Sequence, residues 1–112
     1  MKLVMAIVQA DDVTDITEAL LAAGLRVTRV STEGGWLRKK NATLLAGVED
    51  EDVPRALDIL KRTGQRRRVP LPTSIHFPEP LSQAPISMEP EIEVEVGGAI
   101  VFVLDVEQHA RY

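Results

Sequence analysis

The sequence predicts an α+β fold in which a four-stranded antiparallel sheet carries two helices on one face. Three observations lead there. Apolar segments of strand length alternate with two amphipathic helical stretches in the order βαββαβ. A strictly alternating segment near the end adds a further strand or hairpin. The 112 residues suit one domain, and 45% of them are apolar, enough to bury a core.

The elements follow in order. Lys2 to Gln9 is almost continuously apolar, as suits a strand covered on both faces, or one with one face on helices and the other in a subunit interface. Asp11 or Asp12 is placed to cap a helix running to Ala23. Val13, Ile16, Leu20 and Ala23 form its buried stripe, and Gly24 closes it. Leu25 to Ser31 alternates, with Arg26, Thr28 and Val30 on one side and Leu25, Val27 and Arg29 on the other. Gly34-Gly35 ends that strand, and Trp36 to Asn41 reads as an exposed loop containing Arg38-Lys39-Lys40.

Thr43 to Val48 is the next apolar strand. Asp52 is placed to cap a second helix, with Pro54 in its first turn and Val53, Ala56, Leu57 and Leu60 as the buried stripe. Lys61 and Arg62 complement its C-terminal dipole, and Gly64 stops it. Six of the seven prolines fall between Pro70 and Pro90, so residues 65–90 read as one long loop, a length that usually signals function or disorder. In Glu91 to Val96 the residues Ile92, Val94 and Val96 face inward and the three glutamates face water. Gly97-Gly98 makes a turn, and Ala99 to Val106 is the last strand. The uncovered sheet face is apolar enough to suggest a homo-oligomer, and three copies around an axis would cover it.

Composition excludes several functions. The chain has no cysteine, which removes disulfides, thiolate metal sites and cysteine nucleophiles and suits a reducing cytoplasm. A net charge of −4 disfavours general nucleic-acid binding. No apolar run approaches the length of a membrane span, and Asp11-Asp12 stands where a signal-peptide cleavage site would be. Phosphate-loop motifs are absent, and the first strand-to-helix turn, Gln9-Ala10-Asp11-Asp12, would repel an anion. His76 and His109 are not at metal-ligand spacing, and no serine has a histidine and a carboxylate arranged around it. The acidic run Glu49 to Asp52 reads as a helix N-terminus, and Arg66-Arg67-Arg68 as a solvated cationic segment. Nothing points to an enzyme.

One constellation points to a ligand. Arg26 and Thr28 offer a guanidinium and a hydroxyl on one side of a strand, suited to a phosphodiester. Gly34-Gly35 permits close backbone approach, Trp36 a stacking face, and Asn41 both donors and acceptors for a base edge. Gly47 leaves room for a ring. Spacing alone leaves the plainer reading equally open: an exposed arginine, a loop anchor and a turn residue.

These residues carry a family resemblance. Met1 to Gln9, Arg26-Val27-Thr28, Gly34-Gly35-Trp36-Leu37, Asn41, Gly47-Val48-Glu49-Asp50 and Val94 to Leu104 resemble the P-II-like cyclic di-AMP receptors (PstA/DarA). The match is ungapped over the first half and returns for the last strands; the proline-rich middle matches in position only. The resemblance implies a ferredoxin-like, P-II-type subunit in a homotrimer, with three ligand sites at subunit interfaces. Residues 36–41 would be a short T-loop and residues 65–90 a long B-loop, reorganised by ligand to address a target protein whose identity the sequence does not carry. Arg26 and Thr28 would serve ribose and phosphate. Gly35, Trp36 and Leu37 would enclose an adenine, Asn41 and Gly47 would meet its polar edge, and Gln108 would approach from the neighbouring subunit. Lys40 stands where the family usually has glycine, Ala42 where it often has threonine, and Trp36 where it usually has phenylalanine. The alternative is a P-II-like trimeric adaptor that does not bind cyclic di-AMP or binds another adenine nucleotide. A P-II protein sensing ATP and 2-oxoglutarate would need a longer loop and a basic segment where Val103-Leu104-Asp105 stands.

Overall fold

The computed structural model describes residues 1–32, 40–71 and 92–112. Its elements are β1 (Lys2–Gln9), a 3₁₀ turn (Ala10–Asp12), α1 (Val13–Ala22), β2 (Thr28–Thr32) and β3 (Asn41–Val48). A second 3₁₀ turn (Asp50–Asp52), α2 (Val53–Gly64), β4 (Arg67–Leu71), β5 (Ile92–Val96) and β6 (Ala99–Asp105) follow. Contacts divide the chain into two units, one of Met1–Arg66 with Gly97–Tyr112 and the other of Arg67–Val96.

The first unit holds a four-stranded sheet of order β2-β3-β1-β6, antiparallel at every pairing. That order, with two helices against one face, fits a ferredoxin-like fold. Strand periodicity sorts the side chains. Val4, Ala6 and Val8 of β1 and Ala42, Leu44, Ala46 and Val48 of β3 are buried against Ile16 and Leu20 of α1 and Ala56, Ile59 and Leu60 of α2. Burial of these groups is the main driving force for the unit, about 1.5–3 kcal/mol for each large side chain.

The intervening residues face the other way. Leu3 pairs with Leu104 and Gly47, and Met5 with Phe102 and Leu45. Ile7 pairs with Ile100 and Thr43. Directly paired residues share a face, so these side chains make one apolar surface opposite the helices. Phe102 at 39%, Leu104 at 44% and Val30 at 39% exposure lie open on it.

The helix ends differ in part from expectation. Neither Asp12 nor Asp52 caps its helix through the side chain. A 3₁₀ turn leads into each helix instead, which tightens the entry without a side-chain acceptor. At the far end of α1, Gly24 takes φ +81°, its N–H donates to the Leu21 carbonyl, and the Leu25 N–H donates to the Leu20 carbonyl. This is a Schellman closure, and the buried Leu25 completes it. In α2, Leu57 turns out to be exposed and Ile59 takes the core position. Gly64 is the last helical residue and has no positive φ. A Cβ there would lie 3.2 Å from Ile16 Cδ1 and 3.4 Å from Ala99 Cβ, so close packing is what favours glycine.

Three boundaries are corrected. β3 begins at Asn41, the residue expected to end the preceding loop, rather than at Thr43. The second strand ladder begins at Thr28 rather than Leu25, although Leu25 buried, Arg26 exposed and Val27 half-buried keep the alternation. The expected irregular chain from Gln65 onward contains a strand at Arg67–Leu71. Pro70 and the arginines hid its alternation. In a two-stranded pair each strand is an edge, which accommodates a residue with no N–H.

The second unit is that pair. β4 and β5 run antiparallel, with Val69 opposite Val94 and Arg68 opposite Glu95. Arg68 lies 3.9 Å from Glu93 on the exposed side, a pairing of small energetic weight. Residues 72–91, including most of the proline-rich segment and His76, lie outside the described residues.

Candidate functional site

The sheet face opposite the helices carries much of the constellation. Thr28 is exposed and pairs with Leu45. The next residue of β3 on that face is Gly47, so Thr28 and Gly47 are diagonal neighbours, roughly 7 Å apart in such a ladder. Arg26, two residues before Thr28, is exposed on the same side. A cation, a hydroxyl and a position lacking a side chain thus come together at one end of β2 and β3.

Gly47 has no conformational reason to be glycine. Its φ is not positive, and a Cβ built there meets nothing within 4 Å among the described residues. Glycine inside a strand costs roughly 0.5–1 kcal/mol relative to alanine. Such a glycine often marks where a ligand or another backbone approaches closely.

Asn41 lies at the other end of the same strand, paired with Gln9 of β1 and Thr32 of β2. Six residues of extended chain separate it from Gly47, about 20 Å. A purine edge is far shorter, so within one protomer the two do not meet a single base. Gln108 is exposed in the tail beyond β6. Gly35, Trp36 and Leu37 lie outside the described residues, as do residues 36–39 of the expected T-loop.

Lys40 is described, and its backbone carries no penalty. Every described residue with positive φ is a glycine, and the Lys40 carbonyl accepts the Ala10 N–H at 2.9 Å.

Two features were not read from the sequence. One is Gln9, whose buried side chain accepts the Gly97 N–H at Oε1 over 2.7 Å. Its only sequence signal is a polar residue ending an apolar strand. The other is a groove of about 430 Å³ between α2 and β6, floored by Leu57, Leu60 and Val101 and edged by Lys61 and Arg66. Its walls come from elements far apart in sequence, which leaves no local pattern.

At the opposite end of β1, Lys2 and Asp105 form an ion pair across the β1–β6 ladder. The hydrogen bond between them raises the Lys2 pKa and lowers that of Asp105. Among the described residues, no group of three or more His, Cys, Asp or Glu is arranged to hold a metal ion. No described helix is long and apolar enough to cross a membrane.

A family model described as a cyclic-di-AMP receptor matches residues 1–112. The chain belongs to the cyclic-di-AMP receptor family. Membership supports a cyclic di-AMP-binding role, and a binding protein rather than an enzyme. Among solved structures, this family member is similar to a functionally unknown protein from Pediococcus pentosaceus. That likeness has a TM-score of 0.77 and 35% identity, and covers 99% of this chain and 96% of the other.

Proposed function

We propose that the chain is a cytoplasmic cyclic di-AMP sensor that works as a homotrimer, with ligand held in clefts between subunits. Ligand reorganises the segment between β2 and β3 and the long segment within residues 65–90, and so engages or releases a target protein. Differential affinity for two arrangements of these segments is what lets the ligand shift them.

The observation that carries the reading is Gly47, a strand glycine with open space above it and an exposed hydroxyl and guanidinium beside it. Arg26 and Thr28 take the phosphate and ribose oxygens through charge-assisted and neutral hydrogen bonds. Gly35, Trp36 and Leu37 enclose an adenine, with the indole stacked on it. The separation of Asn41 from Gly47 supports assigning them to different parts of the ligand, Asn41 to a base edge and Gly47 to a ring that needs room. Gln108 reaches the cleft from the next subunit.

Two features support the assembly. The apolar face of Met5, Leu45 and Phe102 needs cover. β2 and β6 are the two edges of the sheet, and β6 has neither proline nor lysine to block pairing. Titration calorimetry of Arg26→Ala and Asn41→Ala with cyclic di-AMP tests the site. Weakened binding in an intact assembly is expected, and unchanged affinity in both variants removes it.

A further inference from the structure

Three stretches of chain meet where β1 ends. Gln9 pairs with Asn41, and the following residue, Ala10, donates its N–H to the Lys40 carbonyl at 2.9 Å. The Gln9 side chain, in a residue only 7% exposed, turns the other way and accepts the Gly97 N–H over 2.7 Å. Gly98 then donates to the Gly64 carbonyl at 2.7 Å. Gly97 and Gly98 sit at φ +83° and +109°, where a side chain would be strained. Glycine has the most conformational freedom to lose on ordering, so this turn depends on the groups that pin it.

We propose that Gln9 is a positioning residue that ties the Lys40–Asn41 corner to the Gly97–Gly98 turn, so that the two corners order together. Its backbone belongs to one corner and its amide oxygen to the other. Loss of the acceptor leaves a buried N–H without its partner, which opens the turn. That opening loosens the end of β1 and, through Ala10, the hold on Lys40. Coupled ordering of this kind makes a ligand at Asn41 felt at Gly97. That use rests on the nucleotide reading above, whereas the coupling itself does not.

Amide hydrogen exchange on the ligand-free full chain tests the coupling. Gln9→Met keeps length and removes the acceptor. Gln9→Asn keeps an amide but is one methylene too short. Gln9→Glu keeps both the reach and an acceptor oxygen. In Gln9→Met and Gln9→Asn we expect the Gly97 amide to exchange about tenfold faster, the scale of one hydrogen bond, and the Ala10 amide to accelerate with it. Ala6, in the middle of β1, should stay unchanged, and Gln9→Glu should retain protection at Gly97 and Ala10. Faster exchange at Gly97 with Ala10 unaffected overturns the proposal, as does a Gln9→Glu protein that behaves like Gln9→Met. Gln9→Asn carries the same comparison should Gln9→Met not fold. A wild-type chain that takes up no added cyclic di-AMP overturns the nucleotide reading and leaves the coupling result standing.

Discussion

Thr28 stands opposite Leu45 in the β2–β3 ladder, which sets it on the same sheet face as Gly47, two residues further along β3. The pairing register alone brings together two residues nearly twenty positions apart in sequence. Arg26 joins them because Leu25 is buried and the alternation holds through Val27. From this relationship the binding predictions follow.

Arg26→Ala and Thr28→Ala each remove an exposed group that the protomer does not need for packing. Thermal midpoints should therefore stay near wild type. Cyclic di-AMP affinity should fall by about 1.5–3 kcal/mol for the guanidinium and about 0.5–1.5 kcal/mol for the hydroxyl. Calorimetry and a thermal melt on the same samples separate binding from stability.

Gly47 gives a sharper contrast. Among the described residues nothing opposes a Cβ there, so Gly47→Ala should leave the fold as stable or improve it by up to about 1 kcal/mol. Bulk directed into the cleft should nevertheless weaken cyclic di-AMP binding, and Gly47→Val should weaken it further. Equal affinity in all three proteins would mean that the glycine has no role in ligand approach.

The apolar face opposite the helices makes its own prediction. Phe102 is 39% exposed and pairs with Met5, which puts it amid the apolar surface. Phe102→Glu sets a charge where a second copy would bury it, at a cost of several kcal/mol. Native mass spectrometry should show a trimer for the wild type and loss of that trimer for the variant, with helical circular dichroism retained.

Much of the fold was legible because its signals are local. The apolar run from Lys2 to Gln9 gave the first strand its bounds, and Gly24 marked the end of α1. The alternation of Glu93 and Glu95 with Val94 and Val96 matches their exposure. Other features were hidden because their causes lie elsewhere in the chain. β4 depends on a cross-strand partner beyond residues 72–91, while its own sequence of arginines and a proline argues against a strand. Ile59 displaced Leu57 because the core-facing stripe of α2 is set by where α1 and β1 meet it. For the site, the strand alternation that groups Arg26 with Thr28 was readable. The distance from Asn41 to Gly47 follows from their places at opposite ends of one straight strand, a fact of length that a motif does not convey. Gln9 was unreadable for a different reason: its partner, Gly97, is 88 residues away.

Lys2 and Asp105 predict a modest pH signature. The lowered pKa of Asp105 means that its contribution is present above the usual carboxylate range and is lost as pH falls through the lowered value. The raised pKa of Lys2 means that its contribution is present below the ordinary lysine range and is lost as pH rises through the raised value. Wild type should therefore melt slightly above Asp105→Asn across neutral pH, with the gap closing at both extremes. Both groups are solvated, so added salt should shrink the gap. A gap that persists in acid would point to a packing role for Asp105 instead.

In the function proposed above, this sheet face takes up cyclic di-AMP at a subunit cleft. Calorimetric titration of the wild-type assembly with cyclic di-AMP tests it most directly. Saturable heat with one ligand per protomer is expected, in a complex whose mass is that of three chains. No heat and no thermal shift at high ligand concentration would contradict it.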